Sequence, residues 1–284
     1  MLVTALAAVV VVILGVVAVA AEGGGSRPRH PSAAGGPATM LAAYTTTINA
    51  HSAQGSVSLS VGGTSLHVDG VADLRTGAGD LTFGLPAPIG RVEVRSIGQD
   101  YFVHLPAQQA GLVGGKPWIR VDRAALQGLV GSQVGVPALG ATLDFSGVLG
   151  WLRDVSGQIA TVGAETINAT PTTHYRAQVD TARAASSMGA DANTASTAAQ
   201  TLGRTLPVDV WIDTQGRLRQ VKASVDLATL RPPQGVTLPA DARGSAVLTM
   251  DLWNFGVTVH PVLPPANQVS DGSSLNGALA GRTG

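Results

Sequence analysis

The chain has 284 residues and no cysteine. Disulfides, thiolate metal sites and thiol nucleophiles are excluded together by that absence. Charge is also scarce: 18 Lys and Arg balance 18 Asp and Glu, and charged residues make up only 13% of the chain. The lysines Lys116 and Lys222 lie far apart, and no run of Lys or Arg occurs. Nucleic-acid binding draws on a basic stripe that neutralises phosphates, so nucleic acid is not an expected partner. Aromatic residues are few, at 4%, whereas hydrophobic residues reach 45%. A domain of about 200–250 residues hides roughly 70–75% of its unfolded surface, so the chain can build a sizeable core. Gly (36) and Pro (16) punctuate the sequence, but no internal linker divides its body. The excess of Ala, Gly and Val over Lys reflects a GC-rich coding genome and carries no functional signal.

Catalytic and metal-binding patterns are missing as well. His30, His51, His67, His104, His174 and His260 lack the close spacing of a helical metal pair, and no HExxH occurs. They read as surface or boundary residues. No GxSxG elbow is present. The stretch from Gly111 to Pro117 has the wrong glycine spacing for a phosphate loop, and Pro117 stands where Ser or Thr would hold magnesium. Asn168-Ala169-Thr170 matches a glycosylation sequon and marks a surface turn. Asp209 and Asp213 share one strand face and read as a solvated edge. No catalytic residue, metal or cofactor is expected, and the chain is not expected to be an enzyme.

What is present begins at the N-terminus. From Leu2 to Ala21 the only polar side chain is Thr4. About 20 residues of helix span the hydrocarbon core of a bilayer. A transmembrane anchor fits this length, a signal peptide fits Ala18-Val19-Ala20 as a small-x-small site, and a buried core helix is the third reading. No Lys or Arg precedes the run, while Arg27 and Arg29 follow it. By the positive-inside rule those arginines favour a cytoplasmic downstream side, yet a large domain translocates regardless of a bias this small. The expected arrangement is an exported domain on the extracytoplasmic side of the cell membrane, or a secreted one if the segment is cleaved. Residues 22–39, rich in Gly, Ser and Pro, are expected to form a flexible linker, and residues 271–284 a disordered tail.

Between residues 40 and 270 the dominant pattern has period two. Val57, Leu59 and Val61 alternate with serines, and Gly62-Gly63 turns the chain toward Leu66, Val68 and Val71. Valines alternate with charge across Arg91 to Arg95, and Gly98-Gln99-Asp100 leads into Tyr101 to Leu105. Each pair predicts a β-hairpin. Further on, Tyr175, Ala177 and Val179 share one face, with His174, Arg176, Gln178 and Asp180 on the other. Val208, Val210 and Ile212 alternate with Asp209, Trp211 and Asp213, and the turn through Gly216 returns the chain along Leu218 to Leu227. Ala246 to Trp253 is another alternating strand. Helices are predicted after Asp122 as N-cap, over Ser146 to Val155, and within Asp180 to Leu202. The fold class is α+β, a curved antiparallel β-sheet (half-barrel) with helices packed on one face and one dry side.

Two blocks of residues resemble a known group. The first runs from Leu85-Pro86-Ala87-Pro88 through Glu93-Val94-Arg95 and Ile97 to Pro106, and on to Gly115 to Asp122. The second comprises Thr172 to Ala177, Leu206 to Asp213 and Gly216-Arg217-Leu218. Together they resemble the LprG/LppX-type envelope lipoproteins of mycobacteria and their actinobacterial relatives, across most of Thr45 to Asp251. The resemblance implies a LolA-like carrier fold, in which a half-open barrel is closed by helices over an apolar cavity. It further implies a non-enzymatic role in binding acylated lipids or glycolipids for carriage or presentation in the cell envelope. Unlike that family, this chain has no lipid-modified cysteine, so an anchor would be the N-terminal helix itself.

Alternation alone supplies the expected lipid-binding residues: Val57, Leu59, Val68, Val94, Val103, Leu105, Tyr175, Val179 and Val210. The same pattern also fits a solid core. Expected partners are a lipid or glycolipid, the membrane through the N-terminal helix, and an envelope protein. The alternative function is a membrane-tethered interaction or scaffold module. A hydrolase on an unfamiliar fold is the third reading.

Overall fold

Small polar and aliphatic residues alternate along most of the strands, and the fold follows from giving all the aliphatic ones a single side. A computed structural model describes residues 36–61, 64–84, 90–98, 100–106, 115–122, 145–187, 192–230 and 244–272. The apolar N-terminal run, the linker up to residue 35, the Gly62-Gly63 turn, the helix expected after Asp122 and residues 273–284 lie outside the described residues. Among the described residues no helix is long and apolar enough to cross a membrane.

The strands are β1 (Ser52–Val61), β2 (Thr64–Asp73), β3 (Gly79–Gly84), β4 (Arg91–Ile97), β5 (Asp100–His104), β6 (Trp118–Val121), β7 (Val155–Ile167), β8 (Thr170–Asp180), β9 (Thr205–Asp213), β10 (Leu218–Asp226), β11 (Ser245–Trp253) and β12 (Val269–Asp271). They form one 12-stranded sheet in the order β12-β6-β5-β4-β3-β2-β1-β11-β10-β9-β8-β7. The sheet is open and curved. Strands β1 to β6 make one up-and-down meander and β7 to β11 another, and the antiparallel β1–β11 pair joins them. Among the described strands only the short β12 is parallel to its neighbour, β6.

Aspartates set several connections. Asp73 Oδ1 accepts from the backbone N–H groups of Arg75 and Thr76, and Gly77 turns the chain at φ 71°. Asp213 Oδ1 accepts from Gln215 and Arg217 N–H in the β9–β10 turn. Such side-chain acceptors stand in for a backbone carbonyl and favour a tight turn. Between β7 and β8, Asn168 (φ 47°) and Ala169 (φ 60°) form the two-residue left-handed turn that suits hairpin twist.

Among the described residues four α-helices accompany the sheet: α1 (Pro37–Asn49), α2 (Phe145–Gly150), α3 (Thr181–Ser187) and α4 (Ala192–Leu202), with 3-10 turns at Trp151–Arg153, Leu227–Thr229 and Ala266–Gln268. The helix expected over Ser146 to Val155 is thus shorter, and Val155 opens β7. The Asp180 to Leu202 stretch holds a helix pair, as expected. Helix α1 was not expected, and it includes Pro37, Ala38 and Thr39 of the anticipated linker. Its run Thr45-Thr46-Thr47 has poor helix propensity. Burial of Met40, Ala43 and Thr47 stabilises it instead.

A single hydrophobic cluster unites the sheet with α1 and with Phe145, Val148, Leu149, Trp151 and Leu152. Val71 points to the side opposite Leu66 and Val68. Gly70 occupies the inward position, where a Cβ would collide with the carbonyl oxygen of Asp80. After β11 the chain crosses the sheet as a strap. Gly256 N–H donates to Ser52 O, Arg95 Nη1 donates to Val262 O at 2.8 Å, and Lys116 Nζ donates to Val269 O at 2.9 Å. Asp271, anticipated as the start of the tail, is the last residue of β12.

Candidate ligand-binding face

Register places the aliphatic residues in rows that run across the sheet. One row passes from Val92 through Phe83, Val68, Val57, Met250, Val221 and Val210 to Tyr175. Neighbouring rows include Leu59 between Leu66 and Leu248, and Val94 between Leu81 and Val103. Of the residues that alternation singled out, Val57, Leu59, Val68, Val94, Val103, Leu105, Val179 and Val210 are buried in one cluster. Tyr175 is half-buried and packs against it. All of them lie on one face. Leu105 stands just beyond β5 and donates its N–H to Pro117 O.

Helices α1 and α2 contribute Met40, Ala43, Phe145, Val148 and Leu149 to the cluster on this inner face. Thr47 Oγ1, on α1, donates to Ala43 O at 2.7 Å and accepts from Leu218 N–H at 2.9 Å. That second bond fastens α1 to the start of β10. The register there shifts between Leu218 and Gln220, so the Leu218 amide needs a partner outside the ladder. The Phe145 ring sits against Gly55 of β1, where an added Cβ would lie 3.0 Å from the ring. Glycine at that position lets α2 approach the strand closely. Chemically the face offers dispersion contacts and exclusion of water, the properties that hold an acyl chain.

The outer face is polar and buries two ionisable side chains, His174 and Asp213. His174 lies on β8 with its side chain 7% exposed, between Glu165 of β7 and Asp209 of β9. Its Nδ1 is 2.8 Å from Glu165 Oε1 and its Nε2 is 2.8 Å from Asp209 Oδ1. The ring stacks on Trp211 at 4.3 Å, and Trp211 Nε1 donates to Glu165 Oε2 at 2.8 Å. Arg176 Nε donates to Asp209 Oδ1 at 3.0 Å. Hydrogen bonds from Trp211 and then from His174 hold the Glu165 carboxyl below its ordinary range. With both ring nitrogens engaged, His174 has none left for a metal or a nucleophile. Among the described residues no three His, Cys, Asp or Glu side chains converge as metal ligands.

Asp213, on the same face, has a side chain only 2% exposed. Burial alone would raise its carboxyl pKa, but the Arg217 amide and the Arg219 and Arg217 guanidinium groups outweigh that and lower it. Arg219 Nε lies 2.8 Å and Arg217 Nε 3.0 Å from Oδ2. Both guanidinium groups stack over Phe255, at 4.9 Å and 4.7 Å, which ties the strap to the β9–β10 turn. The solvated edge expected for Asp209 and Asp213 is therefore two clamps. His174 is a buried residue rather than a boundary one. The sequence held a signal for both, since HxR on one strand and DxW on the next become neighbours once the strands pair antiparallel. That register is not readable from either strand alone.

Fold and site together define an open, antiparallel α+β half-barrel with an apolar inner face. No protein-family model matches the chain, and no curated protein matches it in sequence. Among solved structures it is similar to LprF from Mycobacterium bovis, with 14% identity and a TM-score of 0.46 over 81% of this chain and 97% of that one. It is also similar to the lipoprotein LppX from Mycobacterium tuberculosis, at 18% identity and TM-score 0.44, over 80% of this chain and 99% of the other. A LolA superfamily protein from Nitrosomonas europaea aligns at 12% identity and TM-score 0.26, over 83% and 97% of the two chains.

Proposed function

We propose that the chain is a non-enzymatic cell-envelope protein that binds a lipid or glycolipid on its inner face, for carriage or presentation. One observation carries this reading: the residues chosen by alternation, from β1 to β9, form one continuous apolar face across a curved sheet. Val57, Leu59, Val68, Val94, Val103, Leu105, Tyr175, Val179 and Val210 would contact the acyl part. Helix α1 and the 3-10 turn at Trp151–Arg153 pack together, and α1 touches β7 and β10 while α2 touches β1. Each buried methylene contributes about 0.8 kcal/mol, so ten would supply roughly 8 kcal/mol, a micromolar constant. On this reading the N-terminal apolar segment keeps the protein at the membrane, on its extracytoplasmic side.

Val94→Trp tests the reading. The indole would fill space on the inner face of β4 and is expected to lower the fraction of protein that carries lipid, with the fold kept. Unchanged lipid occupancy in Val94→Trp and in Val103→Trp would sink it. A second reading, an interaction module of the envelope, is favoured by β7, a 13-residue strand at the end of the sheet. Crosslinking in cells from a photoreactive residue at Val162, which is 49% exposed, would recover a protein partner under that reading.

A further inference from the structure

The His174 clamp lies on the outer face of the sheet, opposite the apolar inner face. His174 bridges three strands, since its partners Glu165 and Asp209 come from the strands on either side of β8. Both bonds form at once only when each ring nitrogen carries a proton, because a neutral imidazole has a single N–H. Strand β7 depends on this. Among the described strands β8 is its one neighbour in the sheet, and its register with β8 shifts between Ser156 and Ala160 and again between Thr161 and Gly163. Regular pairing resumes from Gly163 opposite His174 to Ile167 opposite Thr170. In that stretch Ala164, Glu165 and Thr166 are exposed, so little apolar burial holds it.

We propose that His174 is a pH-operated latch on β7: the doubly protonated ring ties β7 to β9, and loss of one proton breaks one tie and loosens the Gly163–Ile167 segment. The charges around the ring agree with this assignment. Glu165 faces it from β7, Asp209 faces it from β9, and Arg176 of β8 reaches the same Asp209 oxygen. Asp213, further along β9, is already held by Arg217 and Arg219. With the ring charged, two cations offset two carboxylates; with the ring neutral, one negative charge is left over at a ring that water scarcely reaches. The Trp211 indole bond to Glu165 does not titrate, so neutralisation loosens the strand without releasing it. Helix α1 also packs on β7, which places the latch next to an element of the inner face. The inference stands whether or not a lipid is bound there.

The test uses the full chain in detergent micelles. Amide exchange, corrected for its intrinsic pH dependence, is followed by mass spectrometry at about pH 5 and about pH 8, the range in which imidazole titrates. Ring 15N shifts of labelled histidine report how many protons His174 carries. The expected result is a doubly protonated ring at the lower pH and a singly protonated one at the higher. Protection of Gly163–Ile167 falls by about tenfold between them, the equivalent of one charge-assisted hydrogen bond, while β10 and β11 stay unchanged. His174→Gln abolishes the pH step, and Asp209→Asn moves its midpoint to lower pH. A ring that titrates with no change in β7 protection overturns the proposal. So does a ring that keeps both protons to the higher pH, a pH step that survives in His174→Gln, or an unmoved midpoint in Asp209→Asn.

Discussion

Thr47→Val isolates the contact that joins the unexpected helix to the sheet. Valine matches threonine in volume, so the substitution leaves no cavity and removes only the hydroxyl. Two hydrogen bonds go with it, but they differ in weight. The bond to Ala43 O is a second bond to a carbonyl that already accepts within α1, so its loss is small. The Leu218 amide is different: the residue is wholly buried, and its N–H bonds to Thr47 Oγ1 at 2.9 Å. Leaving a buried donor unsatisfied costs about 1–3 kcal/mol. The expected loss is about 2 kcal/mol, or about 4–8 °C in melting temperature for a domain of roughly this size. Thr47→Ser keeps the oxygen and loses one methyl, at a cost of about 0.8 kcal/mol. Thermal unfolding of the full chain by circular dichroism should therefore rank wild type above Ser and Ser above Val, with faster exchange at the Leu218 amide in Val. A valine variant within about 0.5 kcal/mol of wild type would refute the assignment of that bond, as would a serine variant weaker than valine.

Asp213→Asn keeps the turn's acceptor oxygen but removes the charge between Arg217 and Arg219; a loss of about 3 kcal/mol is expected in denaturant unfolding. Asp73, Asp213 and Glu165 all have carboxyl pKa values lowered in the folded state, from ordinary values of 3.8 for Asp and 4.5 for Glu. Their stabilisation is full above those ordinary values and is lost as pH falls through them toward the folded-state values. The unfolding free energy should thus decline on acidification below pH 4.5, and less steeply in Asp213→Asn; equal slopes in the two proteins would contradict the clamp. Arg95→Ala removes the bond to Val262 O and the cation over Trp118 at 4.5 Å. Limited proteolysis should then cut the strap between residues 257 and 268 faster, with the sheet left intact.

Much of the sheet was legible because a strand whose residues alternate declares which of them share a face. Val57 and Leu59, Tyr175 and Val179, and Val208 and Val210 all went to the inner side as alternation required. At position 70 glycine takes the inner place, because a Cβ there would meet the carbonyl oxygen of Asp80, and the aliphatic alternation is interrupted. Helix α1 was hidden because three successive threonines argue against helix, while the burial that overrides them depends on β10, far along the chain. The His174 and Asp213 clamps were hidden for a related reason. Each charged residue looked ordinary within its own strand, and the partners meet only through antiparallel register. The strap after Trp253 has no periodic pattern, and side chains on remote strands, Arg95 and Lys116, hold it in place.

An inner face that holds an apolar ligand should keep one when the protein leaves the membrane. Native mass spectrometry of the full chain, released from membranes of its own cells in detergent, reads this out. A reproducible added mass that organic extraction identifies as a lipid or glycolipid is expected, reduced in Val94→Trp. A clean unliganded mass, with no uptake from a panel of envelope lipids, would contradict it and leave the interaction module as the better account.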